Sequence, residues 1–274
     1  MFLSKSELDI TDPAQVKSAV SGNSCDWVVN AAAYTAVDAA ESNEEEAFRV
    51  NSDGPRTLAE ACDACGVRLV HVSTDFVFDG SSSRPYKTSD SPRPISAYGR
   101  SKLAGEKAIM RTLAGEELII RTSWLYGGTS TNFVSTMLRL MAVRSDLRVV
   151  ADQFGTPTWS MTLAGRLLGL IGADARGIHH ITDSGSATWY DFAVAIRDLA
   201  LDIDLLGDQI PIYPITTKEY PTPADRPRFS VLDKGRTDEI LGGCAPHWRT
   251  SLKEHLSLRA GALGDLKGKG GLTT

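Results

Sequence analysis

Tyr98 and Lys102 stand four residues apart, a spacing that puts both side chains on one face of a helix. A tyrosine hydroxyl ordinarily titrates near ~10 and a lysine near ~10.4. A neighbouring ammonium favours the phenolate, which would make Tyr98 a usable general acid or base near neutrality. A surface tyrosine beside a surface lysine has the same spacing, so the pair needs context. Ser73-Thr74-Asp75 supplies a hydroxyl directly after an apolar run ending at Val72, and Asn30-Ala31-Ala32-Ala33 follows the run Trp27-Val28-Val29. Ligands of open α/β sheets lie beyond the carboxyl ends of strands. Thr74 placed there would hydrogen-bond a substrate carbonyl beside Tyr98. Residues as small as Ala31, Ala32 and Ala33 would let a flat cofactor approach the backbone.

These groups need elements to hold them. Asp12 as N-cap and Pro13 at the first helical position predict a helix ending near Gly22. A buried strand is expected at 27–29, then a long helical stretch broken near Asp53-Gly54-Pro55 and closed by Gly66. A strand at 67–72, a Ser/Pro/Asp-rich loop at 81–94, a helix over Ala97–Leu113 and a strand at Leu118–Thr122 follow. Apolar strands alternating with helices predict βαβ units and a parallel sheet, and strands apolar throughout predict helices on both faces. Further on, helices are expected at 132–144, 161–171 and Trp189–Leu201, with short strands at Leu147–Val150 and 178–181. The expected division is a first domain at 1–150 and a substrate-binding portion at 151–262, with strand 177–182 returning to the main sheet. Residues 263–274, Gly-rich and without an aromatic, predict a disordered tail.

Composition narrows the class. Apolar residues make up 42% and charged residues 23%, which excludes a disordered chain or a coiled coil. Lys and Arg total 29 against 34 Asp and Glu, an acidic balance unlike that of a nucleic-acid binder. No apolar run reaches the length of a membrane span, and the first residues lack the pattern of a signal peptide. Four scattered cysteines make no disulfide framework, so a cytoplasmic setting is expected. Cys62-x-x-Cys65 resembles a redox or metal pair, but with no second pair nearby it reads as buried thiols. His179 and His180 point to opposite faces of a strand and are expected to be structural. No metal site is assigned.

The quoted segments resemble the extended short-chain dehydrogenase/reductase family. Asp9-Ile10-Thr11-Asp12 resembles its acidic turn near the adenine, Asn30-Ala31-Ala32-Ala33 its cofactor-side motif, and Thr74, Tyr98 and Lys102 its hydroxyl–tyrosine–lysine set. The most specific run is Tyr98-Gly99-Arg100-Ser101-Lys102-Leu103-Ala104-Gly105-Glu106, and the resemblance covers residues 5–258. It implies an α/β fold: a Rossmann-type doubly wound parallel sheet with a smaller C-terminal substrate-binding portion. It implies hydride transfer from NADPH or NADH to C4 of dTDP-4-dehydro-β-L-rhamnose, yielding dTDP-L-rhamnose for cell-surface polysaccharide. Tyr98 is implied as proton donor, Lys102 as the group that holds the nicotinamide ribose and keeps Tyr98 acidic, and Thr74 as the group that orients the carbonyl. Cofactor contacts are implied for Asp9, Ile10, Asn30, Ala31, Ala32, Ala33, Tyr98 and Lys102. Sugar contacts are implied for Thr35, Val37, Asp38 and Trp124. Arg226 would meet the nucleotide diphosphate, where a planar guanidinium suits phosphate. A homodimer and a magnesium ion stay open, with no residues to assign them.

Rival readings come from the same superfamily. A 4,6-dehydratase carries Thr-Asp-Glu for elimination, and here Phe76 follows Asp75. An epimerase is not separated by residues alone. A non-catalytic relative such as the regulatory subunit of methionine adenosyltransferase need not keep Thr74, Tyr98 and Lys102 together. A dinucleotide fold also needs a Gly-rich turn from its first strand into its first helix. The string Gly165-x-x-x-Gly169-x-x-Gly172 lies inside a helical run and reads as helix packing. By comparison with the family, a strand–turn–helix of about 30 residues and a second strand are expected ahead of Asp9. Met1 is then a misplaced start or a truncation and the sheet is N-terminally incomplete. A strand at residues 3–8 would have no neighbour, and the strand at Trp27 would be open on one side.

Overall fold

From Asp12 onward the chain alternates helices with short strands. The computed structural model describes residues 1–128 and 131–269. The first stretch carries α1 (Pro13–Ser21), β1 (Trp27–Asn30), α2 (Val37–Ala40), α3 (Glu44–Phe48), a π-helical turn at Arg49–Asp53, α4 (Gly54–Cys65), β2 (Arg68–Thr74), α5 (Ala97–Leu113) and β3 (Leu118–Thr122). Then come β4 (Leu125–Tyr126), α6 (Phe133–Met141), β5 (Leu147–Val150), β6 (Phe154–Gly155), β7 (Thr158–Trp159), α7 (Ser160–Gly172) and β8 (Gly177–His180). The chain continues through β9 (Ala187–Thr188), α8 (Trp189–Leu201), β10 (Ile212–Ile215), α9 (Gly235–Ile240) and α10 (Trp248–Lys269).

Two compact units are interleaved along the chain. The first comprises Met1–Thr122, Leu167–Ile181 and Thr222–Gly242; the second comprises Ser123–Arg166, Thr182–Pro221 and the chain from Gly243. The expected single boundary at 150 is therefore corrected. The chain leaves the first unit after Thr122 and returns to it twice. A break in composition marks a linker between consecutive domains, and interleaved segments leave no such mark.

In the first unit a parallel sheet runs β1-β2-β3-β8, with Asn30 opposite His71 and Thr74 opposite Thr122. One set of alternate strand residues, Leu69 and Ile119, packs with Val16 and Val20 of α1, Leu58 and Cys62 of α4 and Ile109 and Leu113 of α5. The other set, Val70, Leu118 and Ile120, is fully buried too, as in a sheet covered on both faces. Fully burying a Val, Leu or Ile stabilises by about 1.5–3 kcal/mol, so this packing fixes α5 against β2. Helix α1 begins as its sequence predicts: the Asp12 carboxylate accepts from the backbone N–H of Ala14 and Gln15, at 2.8 and 3.1 Å.

The second unit has its own core. Tyr126, Val134, Met137, Phe192, Ile196, Trp248, Leu252 and Leu256 form one cluster from β4, α6, α8 and α10. β5 pairs with β10 and β4 with β7 in parallel, and β6 pairs with β9 antiparallel.

Three further expectations are corrected. Residues 3–8 form no strand. Their backbone closes a local turn in which Glu7 and Leu8 N–H groups donate to the Ser4 carbonyl. The predicted tail begins too early, because α10 continues to Lys269; residues 270–274 lie outside the described residues. Once Leu252 and Leu256 have anchored the helix, each added residue gains a hydrogen bond without a new nucleation cost. Cys62 is buried, with its thiol pushed up to about 12 by burial, but Cys65 is exposed, since it is the last residue of α4. Gly165, Gly169 and Gly172 do lie within α7, where Gly169 faces the Leu241 side chain.

Candidate active site

The beginning of α5 is set by its cap and by two close approaches. Ser96 Oγ accepts from the Gly99 N–H at 3.1 Å, which starts the helix two residues ahead of Tyr98. A Cβ at Gly99 would lie 2.3 Å from the Phe76 carbonyl oxygen, and one at Gly105 would lie 2.1 Å from that of Asn51. Both glycines therefore let α5 rest directly on the backbone that follows β2 and on the π-helical turn. Tyr98 comes down beside the carboxyl end of β2, with its hydroxyl beside the Thr74 side chain. Its ring meets Phe76 edge-on at 5.7 Å between centroids.

Lys102, one turn on, is buried and turns toward the sheet. Its Nζ donates to the Val72 carbonyl at 2.7 Å and lies 3.2 Å from His71 Nε2. Burial brings the lysine down to about 8, with the Glu106 charge acting against it. The expected lowering of Tyr98 by Lys102 is corrected here. Burial pushes the Tyr98 hydroxyl up to about 12; the neighbouring Thr74 side chain opposes this and the charge of Asp75 adds to it. Lysine and tyrosine share a helix face, but the lysine Nζ lies against the strand carbonyl and the imidazole instead. At neutral pH Tyr98 thus holds its proton.

A buried polar layer lies beneath this pair. The Thr74 hydroxyl donates to Asp75 Oδ1 at 3.0 Å and accepts from the Phe76 N–H. Asp75 is raised to about 6 by burial, against hydrogen bonds from Ser230 and Thr74. Glu106, further along α5, accepts from Ser73 Oγ at 2.5 Å and from Arg121 Nε and Nη2 at 3.0 and 2.7 Å. Both members of that ion pair are buried. On the neighbouring strand, His180 packs its ring edge-on against Phe78 and approaches the Asp233 carbonyl through Nδ1. His179 is bonded within the same unit.

The remaining expected residues divide. Asn30, Ala31, Ala32 and Ala33 do follow β1, at the carboxyl edge of the sheet. Ala31 and Ala32 are exposed, and Asn30 Oδ1 accepts from the Ala32 N–H at 3.0 Å. Thr35 is exposed, and Val37 and Asp38 open α2 half-buried. Arg226 does not present a free fork. Its Nη1 and Nη2 close on the two Asp38 oxygens at 3.0 and 2.8 Å, which holds Asp38 below the usual carboxylate range. A carboxylate matches that planar fork as well as a phosphate does. Asp9 accepts from the Thr11 N–H and hydroxyl, while Ile10, partly buried, packs against the first unit's core. Trp124 belongs to the second unit, where its ring stacks on Trp189 at 3.5 Å.

Residues 1–260 match the family model of the RmlD substrate binding domain. The chain belongs to this family. A dTDP-4-dehydrorhamnose reductase from Streptomyces griseus is 43% identical over 269 residues, covering 96% of this chain and 86% of the relative. Its counterpart from Sinorhizobium fredii is 42% identical over 260 residues, covering 92% of this chain and 87% of the relative. Among solved structures, the dTDP-4-dehydrorhamnose reductase of Bacillus anthracis in complex with NADP superposes with a TM-score of 0.88 at 35% identity, covering 93% of this chain and 89% of that one. The fold is thus the Rossmann-type α/β architecture with a parallel sheet.

In this RmlD-family chain, two buried residues that motif reading passed over tie the site together. Asn51 accepts from the Tyr34 N–H at 2.8 Å, donates to the Tyr34 carbonyl at 3.0 Å and donates to Ser101 Oγ. Ser101 in turn donates to the Tyr98 carbonyl. His71 joins Asn30 to Lys102, with Asn30 Nδ2 at 3.0 Å from its Nδ1. A signal for His71 was available: in a strand, His71 and Ser73 share one face, the face that meets α5.

Proposed function

We propose that this chain reduces the C4 keto group of dTDP-4-dehydro-β-L-rhamnose to dTDP-L-rhamnose with NADPH or NADH, in the supply of rhamnose for cell-surface polysaccharide. The observation that carries the reading is that Tyr98 stands beside Thr74 at the carboxyl end of β2, one helical turn ahead of buried Lys102, whose Nζ donates to the Val72 carbonyl. The named relatives and the NADP-bound neighbour support it.

The residues present fit the nicotinamide end of such a cofactor. Ala31 and Ala32 are small and exposed at the sheet's carboxyl edge, and Lys102 brings a donor to the same end of β2. Asn30, Ala31, Ala32, Ala33, Tyr98 and Lys102 would hold it, with Asp9 toward the adenine. When bound, the nicotinamide supplies the hydride. Tyr98, protonated at neutral pH, gives its proton to the alkoxide that develops at O4. Thr74 orients the keto oxygen, turning its hydroxyl from Asp75. Lys102 holds the nicotinamide ribose and, when protonated, offsets the charge of the phenolate left behind. Thr35, Val37 and Asp38 border the sugar. Arg226, paired with Asp38, would meet the nucleotide diphosphate. The four free cysteines agree with a reducing cytoplasm, and no helix among the described residues is long and apolar enough to cross a membrane.

The test follows oxidation of NADPH on mixing with dTDP-4-dehydrorhamnose. Tyr98→Phe is expected to lower kcat by about 10²–10⁴-fold while the nucleotide sugar still binds. Unchanged turnover in Tyr98→Phe, or a wild-type chain that binds the sugar nucleotide without oxidising NADPH, overturns the reading.

A further inference from the structure

The contacts around His71 settle more than its burial. Ala32 N–H can only donate, so Asn30 Oδ1, 3.0 Å away, is its acceptor. The amide nitrogen of Asn30 then faces His71 Nδ1 at 3.0 Å and can only donate. His71 Nδ1 must therefore carry a lone pair. A neutral imidazole has one N–H, which falls on Nε2, 3.2 Å from Lys102 Nζ. An ammonium at that position sets N–H against N–H. Protonating His71 on Nδ1 instead moves the conflict to Asn30, and rotating the Asn30 amide moves it to Ala32. Every arrangement with a charged lysine leaves one donor facing a donor. With an uncharged amine every contact is satisfied: the Nζ lone pair accepts from His71, and an Nζ–H still donates to the Val72 carbonyl at 2.7 Å.

We propose that Asn30 and His71 are positioning residues for Lys102, relaying the fixed direction of the Ala32 amide to Nζ and favouring the uncharged amine there. The groups that face Lys102 divide in sign. Glu106 on its own helix favours the ammonium, though that carboxylate is already engaged by Arg121 and Ser73. His71 on β2 opposes the ammonium, and burial acts in the same direction. His71 itself is held neutral, because burial and the neighbouring lysine keep it well below its ordinary value. The lysine is thereby poised to change charge near neutrality, where an ordinary lysine stays charged. The catalytic meaning of this device rests on the reductase reading; the protonation states do not.

The test is NMR of the full chain, without nucleotide, labelled with ¹⁵N in histidine and ¹³C in lysine. The expected result is His71 neutral with its proton on Nε2 from pH 6 to 9, and a Lys102 midpoint near 8. His71→Leu removes the opposing N–H and is expected to raise that midpoint by about 1–2 units. A proton on Nδ1 in the wild type overturns the proposal, and that measurement needs no variant to fold. So does an unmoved Lys102 midpoint in a folded His71→Leu. A midpoint that moves in a chain without reductase turnover keeps the proposal and removes the reductase reading instead.

Discussion

Replacing Lys102 with methionine tests the cost of burying its charge. The lysine is brought from 10.5 to about 8 by burial, and a displacement of that size corresponds to about 3 kcal/mol. Its folded value lies below its unfolded one, so between pH 8 and 10.5 the unfolded chain binds the proton that the folded chain has released. Wild-type stability therefore rises with pH across that window. Below pH 8 the folded wild type carries a buried ammonium, and Lys102→Met does not. The substitution also removes the hydrogen bond to the Val72 carbonyl, a loss of about 1–3 kcal/mol that does not depend on pH. The absolute difference at pH 7 combines the two effects, whereas its change with pH isolates the charge. Urea unfolding of both proteins at pH 7, 9 and 10.5 is expected to show the wild type gaining about 3 kcal/mol on the variant. Parallel stability profiles would mean that Lys102 titrates at its ordinary value, and would refute the burial argument.

Two other substitutions probe the polar layer below the site. Glu106→Gln leaves the Arg121 guanidinium buried without its carboxylate and is expected to cost about 3–5 kcal/mol in urea unfolding; a loss under 1 kcal/mol would show that the pair behaves as a surface one. Asp75→Asn removes a carboxyl that burial raises from 3.8 to about 6. The folded chain binds that proton more tightly, so the wild-type contribution is greatest below pH 3.8 and is lost as pH rises through 6. The variant is therefore expected to gain up to about 3 kcal/mol on the wild type between pH 4 and pH 7, and a pH-independent difference would contradict it.

Local pattern carried the elements that hold the site. The extents of α5 and β3 are legible because Ser96, the period of the apolar residues and the all-apolar run at 118–120 each act within a few positions. The common helix face of Tyr98 and Lys102 is legible for the same reason. What Lys102 does with its charge is not, because that depends on a carbonyl and an imidazole from β2, 30 and 31 residues away. Asp38 and Arg226 are 188 residues apart, and no spacing rule connects them. Each has chemistry that suits a ligand, and folding also joins them to one another. The interleaved units escaped for a related reason: a chain that returns twice to the same unit has no linker to betray the crossing. Motifs identify which side chains can do chemistry; the fold decides which of them are already engaged. At Lys102 that decision comes from the orientation of one backbone amide, at Ala32, transmitted through two side chains.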